Sequence, residues 1–209
     1  MKNLILLLAT FLLVFPYAKS QSLGFQQNVD EIILLNVNAI EQASFNFQNL
    51  AYIQQIGNVN VARSVQENRG FNQNVTLVRQ GGVANIGRVD QRGSAHELLL
   101  QQLGDINFIN FIQRGNFSNF IIDQSGTGNV LDVYVFNNSG SRSSGNIRQE
   151  GNYNHIELLM YGGRAVDIFQ KGERHSINAI VSGEDSSLKI FQESGMAGEG
   201  MRVYVFTGN

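Results

Sequence analysis

The sequence predicts an all-β protein, a β-solenoid of about seven to eight strand-turn-strand coils forming two parallel stacked sheets. Three observations predict it: glutamines recurring at a fixed spacing, a period of two between them, and a glycine two residues after most of them. Self-similarity at a constant period is the mark of repeat architectures, in which each unit buries its apolar face only against its neighbours.

The spacing comes first. Gln55–Gln66, Gln80–Gln91 and Gln102–Gln113 all fit Q-x-G-x-x-N-x-x-x-x-x-Q. One anchor column is Gln55, Gln80, Gln102, Gln124, Gln149, Gln170 and Gln192, separated by 21 to 25 residues. A second column lies between them at Gln42, Gln66, Gln91, Gln113, Val135, Met160, Val181 and Val205. The unit is thus about 11 residues, and two units make one coil.

Between anchors the pattern alternates as a half-buried strand requires. Asn107, Ile109, Phe111 and Gln113 take one parity, expected inward, as do Phe120 and Ile122, Leu131 and Val133, Ile156 and Leu158, and Leu188 and Ile190. The other parity is mixed, with Arg88, Asp90, Asp123, Asp132, Glu157 and Lys189 beside Tyr134, Phe169 and Phe191. Gly57, Gly82, Gly104, Gly126, Gly151 and Gly172 follow the first column by two residues, and Gly93, Gly115, Gly162 and Gly183 recur in the second. Glycine takes positive φ without steric cost, so each marks a corner. Longer arcs are expected after Gln66, Val135 and Gln192, where two or three residues are inserted without disturbing strand register.

Inward amides need a physical reason, because a buried amide without partners costs a few kcal/mol. Coils stacked about 4.8 Å apart put each amide over its copy, so every C=O accepts from the next N–H₂ in a ladder. The asparagines expected in such ladders are Asn60, Asn85, Asn107, Asn129 and Asn154. A Gln/Asn-rich disordered tract is the alternative, and the interleaved Ile, Leu, Val and Phe argue against it.

Composition narrows the function. Lys2, the apolar run Leu4–Phe15 and Ala18-Lys19-Ser20 predict a signal peptide over residues 1–20, followed by an N-terminal segment, 21–35, and the repeat region, 36–209. The apolar run is short for a bilayer span, so no stable membrane insertion is expected. There is no cysteine, hence neither disulfide nor thiolate metal site. A net charge of −2 without a basic run argues against nucleic acid as a partner. The only proline, Pro16, lies in the leader, which leaves the repeats without the residue that most often protects sheet edges.

These residues resemble the curlin repeat, S-x₅-Q-x-G-x-x-N-x-A-x-x-x-Q. Ser118-x₅-Gln124-x-Gly126-x-x-Asn129 carries its first half and Gln55-x-Gly57-x-x-Asn60-x-Ala62-x-x-x-Gln66 its second, with Ser143 and Ser186 at the same serine position. The resemblance covers roughly residues 36–205. It implies a subunit of an extracellular bacterial amyloid fibre, the curli, serving adhesion and biofilm matrix. It also implies polymerisation with itself or another curlin subunit, and export through outer-membrane secretion and accessory proteins. In that family a Gln/Gly-rich segment before the repeats addresses the chain to its channel, a place that Gln21–Glu31 occupies here. The second column departs from the pattern at Val135, Met160 and Val181, as do His175, Glu199 and Arg164 at asparagine or serine sites. A minor, nucleator-like subunit fits this degeneracy better than the major subunit, the other role the resemblance allows.

Two further function classes ask for features of their own. A polysaccharide-acting β-helix enzyme needs acids, bases or metal ligands clustered on one face. His96 and His175 fall at inward ladder sites, and Asp90, Asp123 and Asp132 form no convergent pair, so no catalytic, cofactor or metal site is expected. A monomeric adhesin or surface binder would need capped ends. The chain instead ends in Val203, Tyr204, Val205 and Phe206, a strand expected to be an open assembly edge and to repeat Leu131–Phe136.

Overall fold

Through the interior strands residues of one parity are buried and those of the other partly or fully exposed, as Asn74–Val83 illustrates with buried Asn74, Thr76, Val78 and Gln80. The structure, a computed structural model, describes residues 49–182, 187–193 and 200–207, all within the unit Phe47–Asn209. The predicted leader, the segment 21–35 and Gln42 lie outside the described residues.

Twelve strands follow in order: β1 (Asn49–Asn58), β2 (Val61–Asn68), β3 (Asn74–Val83), β4 (Ile86–Asp105), β5 (Phe108–Thr127), β6 (Val130–Asn137), β7 (Ser143–Asn152), β8 (His155–Tyr161), β9 (Ala165–Glu173), β10 (Ser176–Val181), β11 (Ser187–Glu193) and β12 (Arg202–Thr207). All pair in parallel. The first sheet stacks β1, β3, the second halves of β4 and β5, then β7, β9 and β11. The second stacks β2, the first halves of β4 and β5, then β6, β8, β10 and β12. Seven strands in each make, among the described residues, a β-solenoid of seven coils. Strands β4 and β5 are longer than the repeat suggests because pairing continues around a corner, through Gly93 opposite Gly115 and Ser94 opposite Asn116.

The core lies between the sheets. Phe111 from the second sheet meets Phe120 from the first edge-on at 5.2 Å, among Leu98, Leu100, Ile109, Ile122, Leu131 and Val133. Each such side chain contributes about 1.5–3 kcal/mol by leaving water. Gly145 points inward where any Cβ would overlap the Phe120 ring, so the smallest residue sits under the largest. Long arcs span 69–73 between β2 and β3 and 138–142 between β6 and β7, and the arc expected after Gln192 falls mostly outside the described residues.

The final strand departs from expectation. Thr207, not Val205, lies opposite Val181, and Val205 lies opposite Ala179. Val203 therefore continues the row of Leu131, two residues away from the match predicted by sequence. Val-Tyr-Val-Phe keeps the same parity in either position, so alternation alone does not distinguish registers two residues apart.

Candidate functional site

The first glutamine column is a continuous chain of amides. Gln55 Nε2 donates to Gln80 Oε1 at 2.7 Å, Gln80 to Gln102 at 2.7 Å, Gln102 to Gln124 at 3.1 Å and Gln124 to Gln149 at 2.7 Å. Gln149 donates to Gln170 and Gln170 to Gln192, both at 2.8 Å. From Gln80 onward, each amide's second N–H crosses the core to a backbone carbonyl at the entry of the opposite sheet: Val61, Ile86, Phe108, Val130 and His155, and Met201 for Gln192. Both donors are thus used in the amides from Gln80 to Gln170, and the two sheets are tied together.

The second column begins the same way and stops. Gln66 donates to Gln91 and Gln91 to Gln113, each at 3.0 Å, with Thr76 bridging Gln66 and Gln91. Val135 then faces Gln113, whose fully buried Nε2 has no partner. Met160 and Val181 continue as an apolar stack.

Asparagines form a third ladder at one corner, running in the opposite sense. Asn85 Nδ2 donates back to Asn60 Oδ1, Asn107 to Asn85, and Asn129 to Asn107, each at 3.1 Å. Each also donates to the carbonyl of a corner glycine, Asn60 to Gly82, Asn85 to Gly104, Asn107 to Gly126, Asn129 to Gly151 and Asn154 to Gly172. The glycines are required twice over. Gly57, Gly82, Gly104, Gly126, Gly151 and Gly172 have φ of 105° to 124°. A Cβ at Gly57, Gly82, Gly104, Gly126 or Gly151 would also overlap the carbonyl oxygen of the glycine one coil on. His175 continues the asparagine row. Its N–H donates to Asn154, its Nε2 lies 3.0 Å from the Lys171 carbonyl, and its Nδ1 accepts the Met201 N–H at 3.0 Å. Those contacts set Nε2–H as the donor.

The opposite corner is heterogeneous: Asn49, Asn74, His96, Ser118, Ser143 and Arg164 stack in turn. His96 is buried with Nδ1 unpartnered, and burial holds its pKa below the usual histidine range against the opposing pull of the Arg92 and Gly115 carbonyls. Arg164 is 2 % exposed, with Nε and Nη1 unpartnered.

Sequence reasoning missed the residue before eight of the corner ladder positions. Val59, Ala84, Ala95, Ile106, Phe117, Tyr153 and Arg174 all take left-handed φ of 56° to 59°. Side-chain type varies there, and only Gly128 in the same position gave a signal.

On the outer faces, Asp90 pairs with Arg92 and Arg114, Asp123 with Arg148, and Asp132 accepts from Asn110. Phe169 packs on Phe191 at 5.1 Å, and Arg148 and Arg88 lie over Phe169 and Phe108. Among the described residues no three His, Asp or Glu side chains are grouped to hold a metal.

The solenoid ends are open edges among the described residues. Strands β1 and β2 pair only with β3 and β4, and β11 and β12 only with β9 and β10. Val203, Tyr204, Val205 and Phe206 all lie on β12, where Tyr204 is 67 % and Phe206 70 % exposed. At the other end Ile53, inward by parity, is 41 % exposed. Compared with family models, curated proteins and solved structures, the chain gives no match.

Proposed function

We propose that the protein is a structural subunit of an extracellular, curli-type amyloid fibre, assembling end to end by strand addition and serving cell adhesion and biofilm matrix. The observation that carries this reading is the pair of open terminal coils on a solenoid whose buried amides form ladders along its axis. Interior coils satisfy their backbone amides and, Gln113 apart, the amides of their glutamine and asparagine ladders through the coils on either side, and among the described residues the two end coils have one such neighbour each. A further coil of the same kind restores both sets of bonds and covers apolar side chains such as Ile53, Tyr204 and Phe206. The absence of proline from the repeats leaves those edges unguarded.

The partner is another copy of this chain or a related curlin subunit. Residues 1–20 act as the secretory leader, and residues 21–35 address outer-membrane secretion and accessory proteins. The apolar run that replaces glutamine after Gln113 supports a minor, nucleating subunit, in which coils need not be uniform.

The test is assembly of the chain without residues 1–20, followed by thioflavin fluorescence and electron microscopy. Fibres, or strong seeding of a partner curlin at low ratio, are expected. A chain that stays monomeric for days at micromolar concentration and seeds nothing would refute the reading and leave a monomeric surface binder in its place.

A further inference from the structure

We propose that two copies of this chain pair side by side and antiparallel, through the outer face of the second sheet, about a two-fold axis at Asn110. The proposal goes beyond the fibre reading and does not depend on it, because it concerns a flank of the solenoid and not its ends.

The observation is a row of outward side chains whose charges are sorted by sign. From coil to coil it runs Arg63, Arg88, Asn110, Asp132 and Glu157, each the register neighbour of the next. Like charges on adjacent strands repel. Elsewhere the surface avoids this: Asp123 neighbours Arg148, and Glu150, Lys171 and Glu193 alternate in sign. Where two arginines do adjoin, at Arg92 and Arg114, Asp90 pairs with both. Arg63 and Arg88 are exposed, and among the described residues neither forms an ion pair, Arg88 lying over the Phe108 ring. Asp132 and Glu157 accept from neutral amides, of Asn110 at 3.1 Å and Asn178 at 3.0 Å, and among the described residues no cation is paired with either.

A row that reads plus, plus, neutral, minus, minus is its own complement when reversed. Turning a second copy over about an axis that lies in the face and runs across the solenoid keeps each row opposite itself and reverses the order of coils. With that axis at Asn110, Arg63 faces Glu157 of the second copy, Arg88 faces its Asp132, and the same pairs recur in the other direction. Both like-charged pairs of each copy are thereby neutralised. A contact of this isologous kind closes at two copies.

The flanking rows fit the same axis. On one side Phe108 meets Phe108 and Ile86 meets Val130, and on the other Ile112 meets Ile112 and Val65 meets Leu159. Asp90 comes opposite Tyr134, whose hydroxyl accepts from Asn110 at 3.3 Å and keeps its proton to donate. One row further out, Arg92 comes over Phe136, and Arg114, which meets its own copy, is already neutralised by Asp90. The patch is roughly 20 Å square. That buries on the order of 1,000 Å² over both copies, the low end for specific interfaces. The pairing is therefore expected to be weak and salt-dependent.

The test is sedimentation equilibrium of the freshly dissolved chain without residues 1–20, at low salt and before fibres form. A monomer–dimer equilibrium is expected, weakening as salt is added. Arg63→Glu with Arg88→Glu leaves only acidic charges in the row, and Asp132→Arg with Glu157→Arg leaves only basic ones. Each double variant, once shown by circular dichroism to keep the β-structure, should dimerise roughly a hundredfold more weakly. An equimolar mixture of the two should restore pairing, because every facing pair is again of opposite sign. Position is read separately, since the chain has no cysteine. Asn110→Cys, treated with a bifunctional thiol reagent of about 10 Å reach, the spacing of packed sheets, should link to its own copy. Asn178→Cys, on the same row but far from the axis, should stay monomeric.

A chain that is monomeric throughout at low salt, double variants that dimerise as well as the unmodified chain, a mixture that restores nothing, or Asn178→Cys linking as readily as Asn110→Cys would each overturn the proposal. Failure of the chain to form fibres or seed them, with the dimer intact, would remove the fibre reading alone.

Discussion

The two glutamine columns share strand register and burial and differ in continuity. In the first, seven glutamines from Gln55 to Gln192 are linked without a gap. In the second, three glutamines give way to Val135, Met160 and Val181, yet the strands continue to stack without a shift. Stacking therefore follows from parity and corner geometry, and amide bonding is a local choice that must be complete or absent. Its cost appears only at the junction, where the buried Gln113 Nε2 meets a valine.

The largest effect expected from breaking this comparison is in the continuous column. Gln124→Leu would orphan the Gln102 N–H, the Gln149 carbonyl and the Phe108 carbonyl together. A loss of about 3 kcal/mol is expected in guanidinium unfolding of the monomer. The same change of chemistry at the broken column should cost far less. Gln113→Met removes one unpaired buried donor but leaves Gln91 Nε2 without its acceptor, so the junction moves back one coil while the apolar stack gains a member. A change within about 1 kcal/mol of zero is expected by the same measurement. If both substitutions destabilise equally, continuity is not what separates the columns.

The corners give a smaller, independent effect shared by both columns. Ile106 holds a left-handed φ of 59° with its side chain 64 % exposed, so it strains the backbone while burying little. Ile106→Gly should stabilise by about 1 kcal/mol, whereas Gly104→Ala, two residues earlier, should destabilise because its Cβ overlaps the Gly126 carbonyl.

The smallest expected effect is on pH dependence. Burial lowers the His96 pKa in the folded state. Below the ordinary histidine value of about 6.5, the unfolded chain takes up a proton that the folded chain refuses. This contribution to stability is present at neutral pH and is lost as pH falls from that value toward the lowered one. His96→Asn, matching Asn74 one coil earlier, should flatten the acid limb of the stability profile over that window.

Much of this arrangement was legible in the sequence. Gln55, Gln80 and Gln102 fixed the coil length, the alternation around Ile109 and Phe111 fixed which side faces inward, and the glycines fixed the corners. What escaped depends on contacts between coils. The left-handed residues from Val59 to Arg174 carry no common chemistry because the constraint is on their backbone, imposed by the ladder residue that follows. Register at β12 escaped because the apolar alternation of Val203 and Val205 is satisfied at either of two positions. The directions of the ladders, outward for glutamine and back for asparagine, are set by which carbonyl each second N–H reaches across the core or corner.

Cryo-electron microscopy of the assembled fibre tests the account most directly, through its axial rise per subunit. The seven stacked coils of the described residues, at about 4.8 Å each, predict a rise of at least about 34 Å. A rise of about 4.8 Å, with every chain contributing one flat layer, would contradict the solenoid as the building block of the fibre.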